Sequence, residues 1–124
     1  MTFFLHILAI FSCEYFNKDY IILKDLYRVQ CHNESMFAIQ LSDDMHPVFK
    51  AHFPNHPILP GFVLLDISAE VLHVEIASIT KAKFLQTILP QSLLYFYCKI
   101  NGKRIQIIVK QNEQKVADLN YEKR

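Results

Sequence analysis

Glycine is nearly missing from this chain: Gly61 and Gly102 are the two in 124 residues. A phosphate-cradling loop and a dinucleotide-binding turn each need several glycines at fixed spacing, so neither motif is present and no cofactor is expected. Cysteine is sparse as well. Cys13, Cys31 and Cys98 are odd in number and far apart, which gives neither a metal-ligand spacing nor a redox pair. They read as small apolar fillers, and a reducing cytoplasm is the expected location. Residues 1–12 are strongly apolar but too short to span a bilayer as a helix. No Lys or Arg precedes that run and its small-residue cleavage pattern is poor, so a packed or interfacial extension is expected over a signal peptide. Positive charge is scarce early on: residues 1–80 hold four Lys/Arg against nine Asp/Glu, whereas residues 81–124 hold nine against three. The basic part is suited to an acidic partner, or else consists of the solvated faces of surface strands. Its cations do not interleave with aromatics as a nucleic-acid platform would, so no nucleic acid is expected.

What is present is concentrated in Ala51-His52-Phe53-Pro54-Asn55-His56-Pro57-Ile58-Leu59-Pro60-Gly61-Phe62-Val63-Leu64-Leu65-Asp66. This stretch holds three of the five prolines and one of the two glycines. Each proline fixes its own φ and pushes the residue before it toward extended geometry, so the segment is a stiff, irregular loop. A loop that rigid can hold a histidine still, and a positioned histidine is a candidate acid–base group. An apolar run without a breaker follows, and it predicts a buried central helix from Phe62 to about Ile79. Asp66, Glu70 and His73 fall at i, i+4 and i+7, on one face of that helix. Glu70 and His73 read as a helix salt pair. A metal cluster of Asp66, Glu70, His73 and the loop histidines is the less favoured alternative, because zinc sites usually have tighter ligand spacing.

The remaining elements are strands. Leu26–Gln30 and Ser35–Leu41 are strand-like, with Cys31–Glu34 as the turn between them. Ser42-Asp43-Asp44 breaks the second strand, and residues 46–50 make a single turn. After the helix, strands are expected over Lys83–Leu89, Ser92–Ile100, Arg104–Lys110 and Lys115 to about Tyr121. Asn101-Gly102 is the strongest hairpin signal, and Gln111–Gln114 is a polar turn. Two strands, a helix and then a run of antiparallel strands is an α+β order. The chain is expected to be a single domain over residues 26–124, with residues 1–25 as an apolar extension of uncertain role.

The loop and helix start together resemble a known family. His52-Phe53-Pro54, then Pro57, then Pro60-Gly61, then Asp66 five residues after the glycine, is similar to the active-site segment of the β-hydroxyacyl-[acyl carrier protein] dehydratases. Lys83-Phe84-Leu85 and Leu89-Pro90 are similar to that family's strand and turn after the helix. The resemblance implies the hot-dog fold, a long central helix wrapped by a curved antiparallel sheet. It also implies dehydration of a 3-hydroxyacyl thioester. His52 suits the base at C2, since its unperturbed pKa lies near neutrality. Asp66 suits the acid at C3 if an apolar surround raises its pKa. The Gly61 N–H, at the helix N-terminus, suits the enolate-like thioester oxygen. Phe53, Gly61 and Phe62 are the candidate substrate-binding residues, with tunnel depth depending on side chains such as Phe62, Leu65 and Tyr97. No metal is implied. His56 lies outside the matched set and reads as structural.

In that family the histidine and the acid meet at a homodimer interface, each from a different subunit, and dimers can assemble further. The acyl chain arrives on the phosphopantetheine of an acyl carrier protein, for which Lys81, Lys83, Lys103 and Arg104 are candidate contacts. Several positions depart from the family pattern. Ala51 stands where glycine is common, Asp66 where glutamate is frequent, and Glu70 where glutamine is frequent. The alternatives are an acyl thioesterase on the same fold, with an acid on the helix attacking or activating water, and a non-catalytic acyl-binding protein.

Overall fold

The computed structural model describes residues 23–49 and 55–124. Six strands form one antiparallel sheet: β1 (Tyr27–His32), β2 (Met36–Leu41), β3 (Ile76–Phe84), β4 (Leu93–Asn101), β5 (Arg104–Gln111) and β6 (Gln114–Lys123). Their spatial order is β1-β2-β4-β5-β6-β3. A helix, α1 (Val63–Leu72), lies between β2 and β3 in the chain. Residues 1–22, which include most of the expected N-terminal extension, fall outside the described residues.

The strands form because their side chains alternate. On β5, Ile105, Ile107 and Val109 are buried, while Arg104 and Gln106 are exposed. Period-two alternation gives the sheet one apolar face and one wet face. Cross-strand register aligns the apolar positions into rows: Phe37 of β2 opposes Phe96 of β4, with their rings stacked at 4.5 Å. Ile107 of β5 opposes Leu119 of β6, and Leu119 opposes Ala82 of β3. The buried face packs on Val63, Leu64, Leu65, Ile67 and Val71 of α1, and together these form one core. Register shifts in β1, β3 and β6 mark bulges, which bend a strand and strengthen its twist. A curved sheet around one buried helix is the expected hot-dog architecture.

The turns follow local chemistry. Between β1 and β2, the Asn33 side-chain oxygen accepts from the amides of Ser35 and Met36, at 2.9 and 3.0 Å. Gly102 opens the β4–β5 turn with φ +61°, a conformation that suits a residue without Cβ. Between β5 and β6, Asn112 and Glu113 have φ of +52° and +66°, the two positive values of a type I′ hairpin turn. The single turn expected at residues 46–50 is a 3-10 turn at Pro47–Phe49. His46 braces it: its Nδ1 accepts from the Val48 amide at 3.1 Å and its Nε2 lies 2.7 Å from the Lys24 carbonyl oxygen.

Two elements differ from expectation, the helix end and the strand after it. The helix stops at Leu72 rather than near Ile79. His73 adopts the left-handed conformation, φ 57° and ψ 47°. The Val74 amide bonds the Ala69 carbonyl at 3.0 Å and the His73 amide bonds the Glu70 carbonyl at 3.3 Å. That pair of bonds is a Schellman stop. The chain then enters β3 at Ile76, seven residues before the strand expected from Lys83, and leaves it after Phe84.

Candidate active site

Asp66 stands in the first turn of α1. Its side chain is 4% exposed, and both carboxyl oxygens are shielded from solvent. The helix is buried almost all round, from Val63 to Ala69 and again at Val71, so a carboxyl on it is carried into the core. A carboxylate in a first helical turn is favoured by the free amides and dipole there. Among the described residues, buried polar side chains otherwise amount to Ser68 and Ser92. Ser68 is accounted for structurally: its hydroxyl donates to the Leu65 carbonyl at 2.9 Å and pairs with the Tyr121 hydroxyl at 2.8 Å.

The entry to this helix is tight. The amides of Val63, Leu64 and Leu65 bond the carbonyls of Pro60, Gly61 and Phe62 at 3.1, 3.0 and 3.1 Å. Phe62 is the N-cap, with φ −63° and ψ −21°, and no side chain caps the turn. Three of the first amides are therefore used by the turn itself. The Gly61 amide takes no partner in the described structure, so the donor at this helix start is a single N–H group beside the loop.

Gly61 is required for space rather than for its dihedral angle. A Cβ there would lie 2.7 Å from two carbons of the Phe84 ring and 3.0 Å from a third. Phe84, at the end of β3, thus lies flat against the Gly61 main chain. The volume a side chain would take here is filled by Phe84, a residue quoted in the sequence only as part of a strand. The loop is further pinned where the Leu59 amide bonds the Ile88 carbonyl at 2.7 Å.

His52 and Phe53 lie outside the described residues. Phe62 is half-buried and packs against the core. Leu65 is buried at the helix–sheet interface. Tyr97, by strand alternation, stands on the outer face of β4, turned away from the helix. There it is 43% exposed, with the Lys110 ammonium 5.5 Å from its ring centroid, so it does not line a space between helix and sheet. His56 is exposed in the loop.

Glu70 does not pair with His73 as expected. Its carboxylate accepts a hydrogen bond from the Tyr27 hydroxyl, across 43 residues of sequence. No local pattern links those two positions, which is why sequence reading missed Tyr27. Among the basic residues proposed to face a partner, Lys81 is committed to Asp118 at 2.9 Å, alongside Lys115 at 3.0 Å. Lys83, Lys103 and Arg104 are exposed. Lys103 and Arg104 line an open cleft with Asn101 and Glu122 at the β4–β5 hairpin. Among the described residues, no group of three or more His, Cys, Asp or Glu is placed to hold a metal ion, and no helix is long and apolar enough to cross a membrane.

Comparison with known proteins bears on the family and the fold. A family model described as ApeI-like, ApeI dehydratase, matches residues 28–120. The chain is 30% identical over 77 residues to the 3-hydroxyacyl-[acyl-carrier-protein] dehydratase FabZ of Burkholderia cenocepacia, a match covering 62% of this chain and 46% of that protein. The FabZ of Polaromonas sp. is 27% identical over 77 residues, covering 62% and 50%. The match thus spans about half the length of these curated relatives. Among solved structures, the dehydratase heterocomplex ApeI:P from Xenorhabdus doucetiae superposes with a TM-score of 0.59 at 22% identity, covering 77% of this chain and 93% of that one. The E. coli PaaI protein from the phenylacetic acid degradation operon superposes at 0.55 and 11% identity, covering 95% and 92%. At these identities the structural likeness establishes the fold.

Proposed function

The chain belongs to the ApeI-like dehydratases, and from that premise we propose that it removes water from (3R)-3-hydroxyacyl thioesters borne on an acyl carrier protein, yielding trans-2-enoyl thioesters. The observation that carries the reading is a solvent-shielded carboxyl, Asp66, on the same helix whose start leaves the Gly61 amide available. His52 takes the proton from C2. The electron pair moves toward the thioester, whose oxygen receives the Gly61 N–H. The C3–O bond then breaks as Asp66 gives its proton to the departing hydroxyl, which leaves as water. One proton has passed to His52 and one has left Asp66, so proton return from His52 to Asp66 through solvent resets the pair. An amide fixed before the reaction stabilises developing charge without reorganising, which is the source of its catalytic value. Phe53 and Phe62 flank the acyl chain in this reading.

The carrier protein is the proposed partner, with its acidic surface meeting Lys103 and Arg104. The proposed assembly is a homodimer in which His52 of one subunit serves Asp66 of the other.

The test is mass spectrometry of a 3-hydroxyacyl carrier protein incubated with the wild type, His52→Ala and Asp66→Asn. The expected result is loss of one water with the wild type and no change with either variant. Release of free acid would replace this reading with thioester hydrolysis, and no mass change at any acyl length would replace it with acyl binding alone. Charge reversal at Lys103 and Arg104 is expected to raise KM for the carrier-bound substrate and to leave a small thioester surrogate unaffected. Equal effects on both would remove the carrier contact.

A further inference from the structure

Glu70 stands where local physics disfavours a carboxylate. It lies in the last turn of α1, which holds no basic residue and whose carbonyl end repels negative charge. It also lies four residues after Asp66, on the same helical face, where like charges oppose each other. A residue that breaks two local rules and is nonetheless held in a fixed place is more readily explained by function than by stability. What holds it is Tyr27. The phenol of this β1 residue donates to Glu70 Oε1, and its ring packs against the core.

We propose that Tyr27 and Glu70 are a positioning pair for Asp66: the phenol fixes the Glu70 carboxylate one helical turn from the buried carboxyl, where its charge favours the proton-bearing form that an acid must have. The inference rests on the reading of Asp66 as the acid. Burial, then the hydrogen bond to Glu70 and then its charge push the Tyr27 phenol well above the ordinary tyrosine range. Tyr27 therefore stays a donor throughout the working pH range, and the pair keeps a net negative charge. Asp66 is sealed while Glu70 is exposed, so the helix face grades from a buried carboxyl to a charged one within one turn.

The other titratable groups around this helix are accounted for. On α1 itself the third is His73, at the helix stop; His56 lies in the preceding loop, and His52 is the proposed base. On the inner face of the sheet they are Tyr27 and His32 of β1, Cys98 of β4, and Tyr121 and Lys123 of β6, the last opposite Ile76. His32 packs edge-on against Phe37, with centroids 5.8 Å apart. Cys98 is a buried thiol, and Tyr121 is committed to Ser68. All of these except Tyr27 are retained in every variant below.

The experiment is the pH profile of kcat/KM on a 3-hydroxyacyl thioester for the wild type, Glu70→Gln, Glu70→Asp, Tyr27→Phe and Asp66→Asn, with Tm measured beside each. Glutamine still accepts the Tyr27 hydrogen bond but carries no charge. A unit charge roughly 6 Å away shifts a titration by about 0.5–2 pH units, depending on solvent screening. Glu70→Gln is therefore expected to move the alkaline limb of the profile to lower pH by that amount with Tm unchanged. Glu70→Asp keeps the wild-type limb, and Tyr27→Phe moves it the same way by less. If the Glu70→Gln limb coincides with the wild type while Asp66→Asn is inactive, the pair is only a structural tie and the inference is overturned. If Asp66→Asn stays active, the assignment of the acid fails instead, and the two failures are distinguishable.

Discussion

The contact between Gly61 and Phe84 gives a sharp test of how the helix start is held. Replacing Gly61 with alanine puts a methyl carbon 2.7 Å from two ring carbons of Phe84, well inside van der Waals contact. Neither side yields easily. Phe84 pairs with Ala117 in the sheet, and Gly61 is followed at once by the first helical turn. Overpacking of this kind costs about 1–3 kcal/mol. The φ of Gly61 is not in the left-handed region, so alanine regains about 0.4–1 kcal/mol through the unfolded chain. The net loss is therefore about 0–2.6 kcal/mol, or up to roughly 12 °C in Tm for a domain of this size. Thermal unfolding followed by circular dichroism measures it, and the decisive comparison is a double-mutant cycle. Phe84→Leu removes the ring and costs stability alone, but Gly61→Ala in the Phe84→Leu background is expected to be near neutral, a coupling of at least about 1 kcal/mol. If the two substitutions are additive, the ring is not what demands glycine here. The same cycle read by dehydration rate is expected to follow, because the clash displaces the Gly61 amide.

Other consequences are open to direct measurement. His73→Gly relieves a left-handed residue at the helix stop and is expected to stabilise by about 0.5–1 kcal/mol in denaturant titration; destabilisation would mean that the imidazole has a role the backbone does not explain. Burial pushes the Asp118 carboxyl up, but its hydrogen bonds to Lys81 and Lys115 outweigh this and hold it below the usual range. A depressed folded pKa stabilises above the unfolded value near ~3.9 and is lost as pH falls through the folded value. Asp118→Asn should therefore lower stability at neutral pH and have no effect under strongly acid conditions. The lysines are 41% and 43% exposed, so screening limits the neutral-pH loss to about 0.5–1 kcal/mol. Burial raises the Cys98 thiol to about 11, so iodoacetamide at mildly alkaline pH is expected to label exposed Cys31 and spare Cys98 until the chain unfolds. Peptide mass spectrometry separates the two sites, and equal labelling would contradict the packing of β4.

The strands were legible because their evidence is local. Alternation in Arg104–Lys110, turn chemistry at Asn101-Gly102 and polar Gln111–Gln114 each placed an element within a residue or two. The helix start was legible through Pro60-Gly61. Its end was not. The left-handed stop is occupied by His73, which carries no stop signal, where glycine would have announced it. The residues just after it, Ile76-Ala77-Ser78-Ile79, are as apolar as the helix they follow, so the expected helix ran on into β3. Within the candidate site, the positions of Asp66 and Gly61 were readable from spacing and family pattern. Tyr27 and Phe84 were not, because each meets its partner through sheet order. That order brings β3 beside β6 and the edge strand β1 beside the helix end.

The strand order has a consequence for how the chain acquires its structure during synthesis. Among the described strands, β3 has β6 as its one neighbour in the sheet, and Phe84 is fixed there opposite Ala117. A nascent chain that has emerged only through β5 therefore holds β3 without a strand to join. Loop closure between β3 and β6 must be paid before their hydrogen bonds form, which slows folding and leaves apolar strand surface open in the interim. The helix start, where Phe84 fills the space a Cβ on Gly61 would take, is completed only when β6 slots between β5 and β3. Closing the sheet around the core and fixing the helix start are thus one late event.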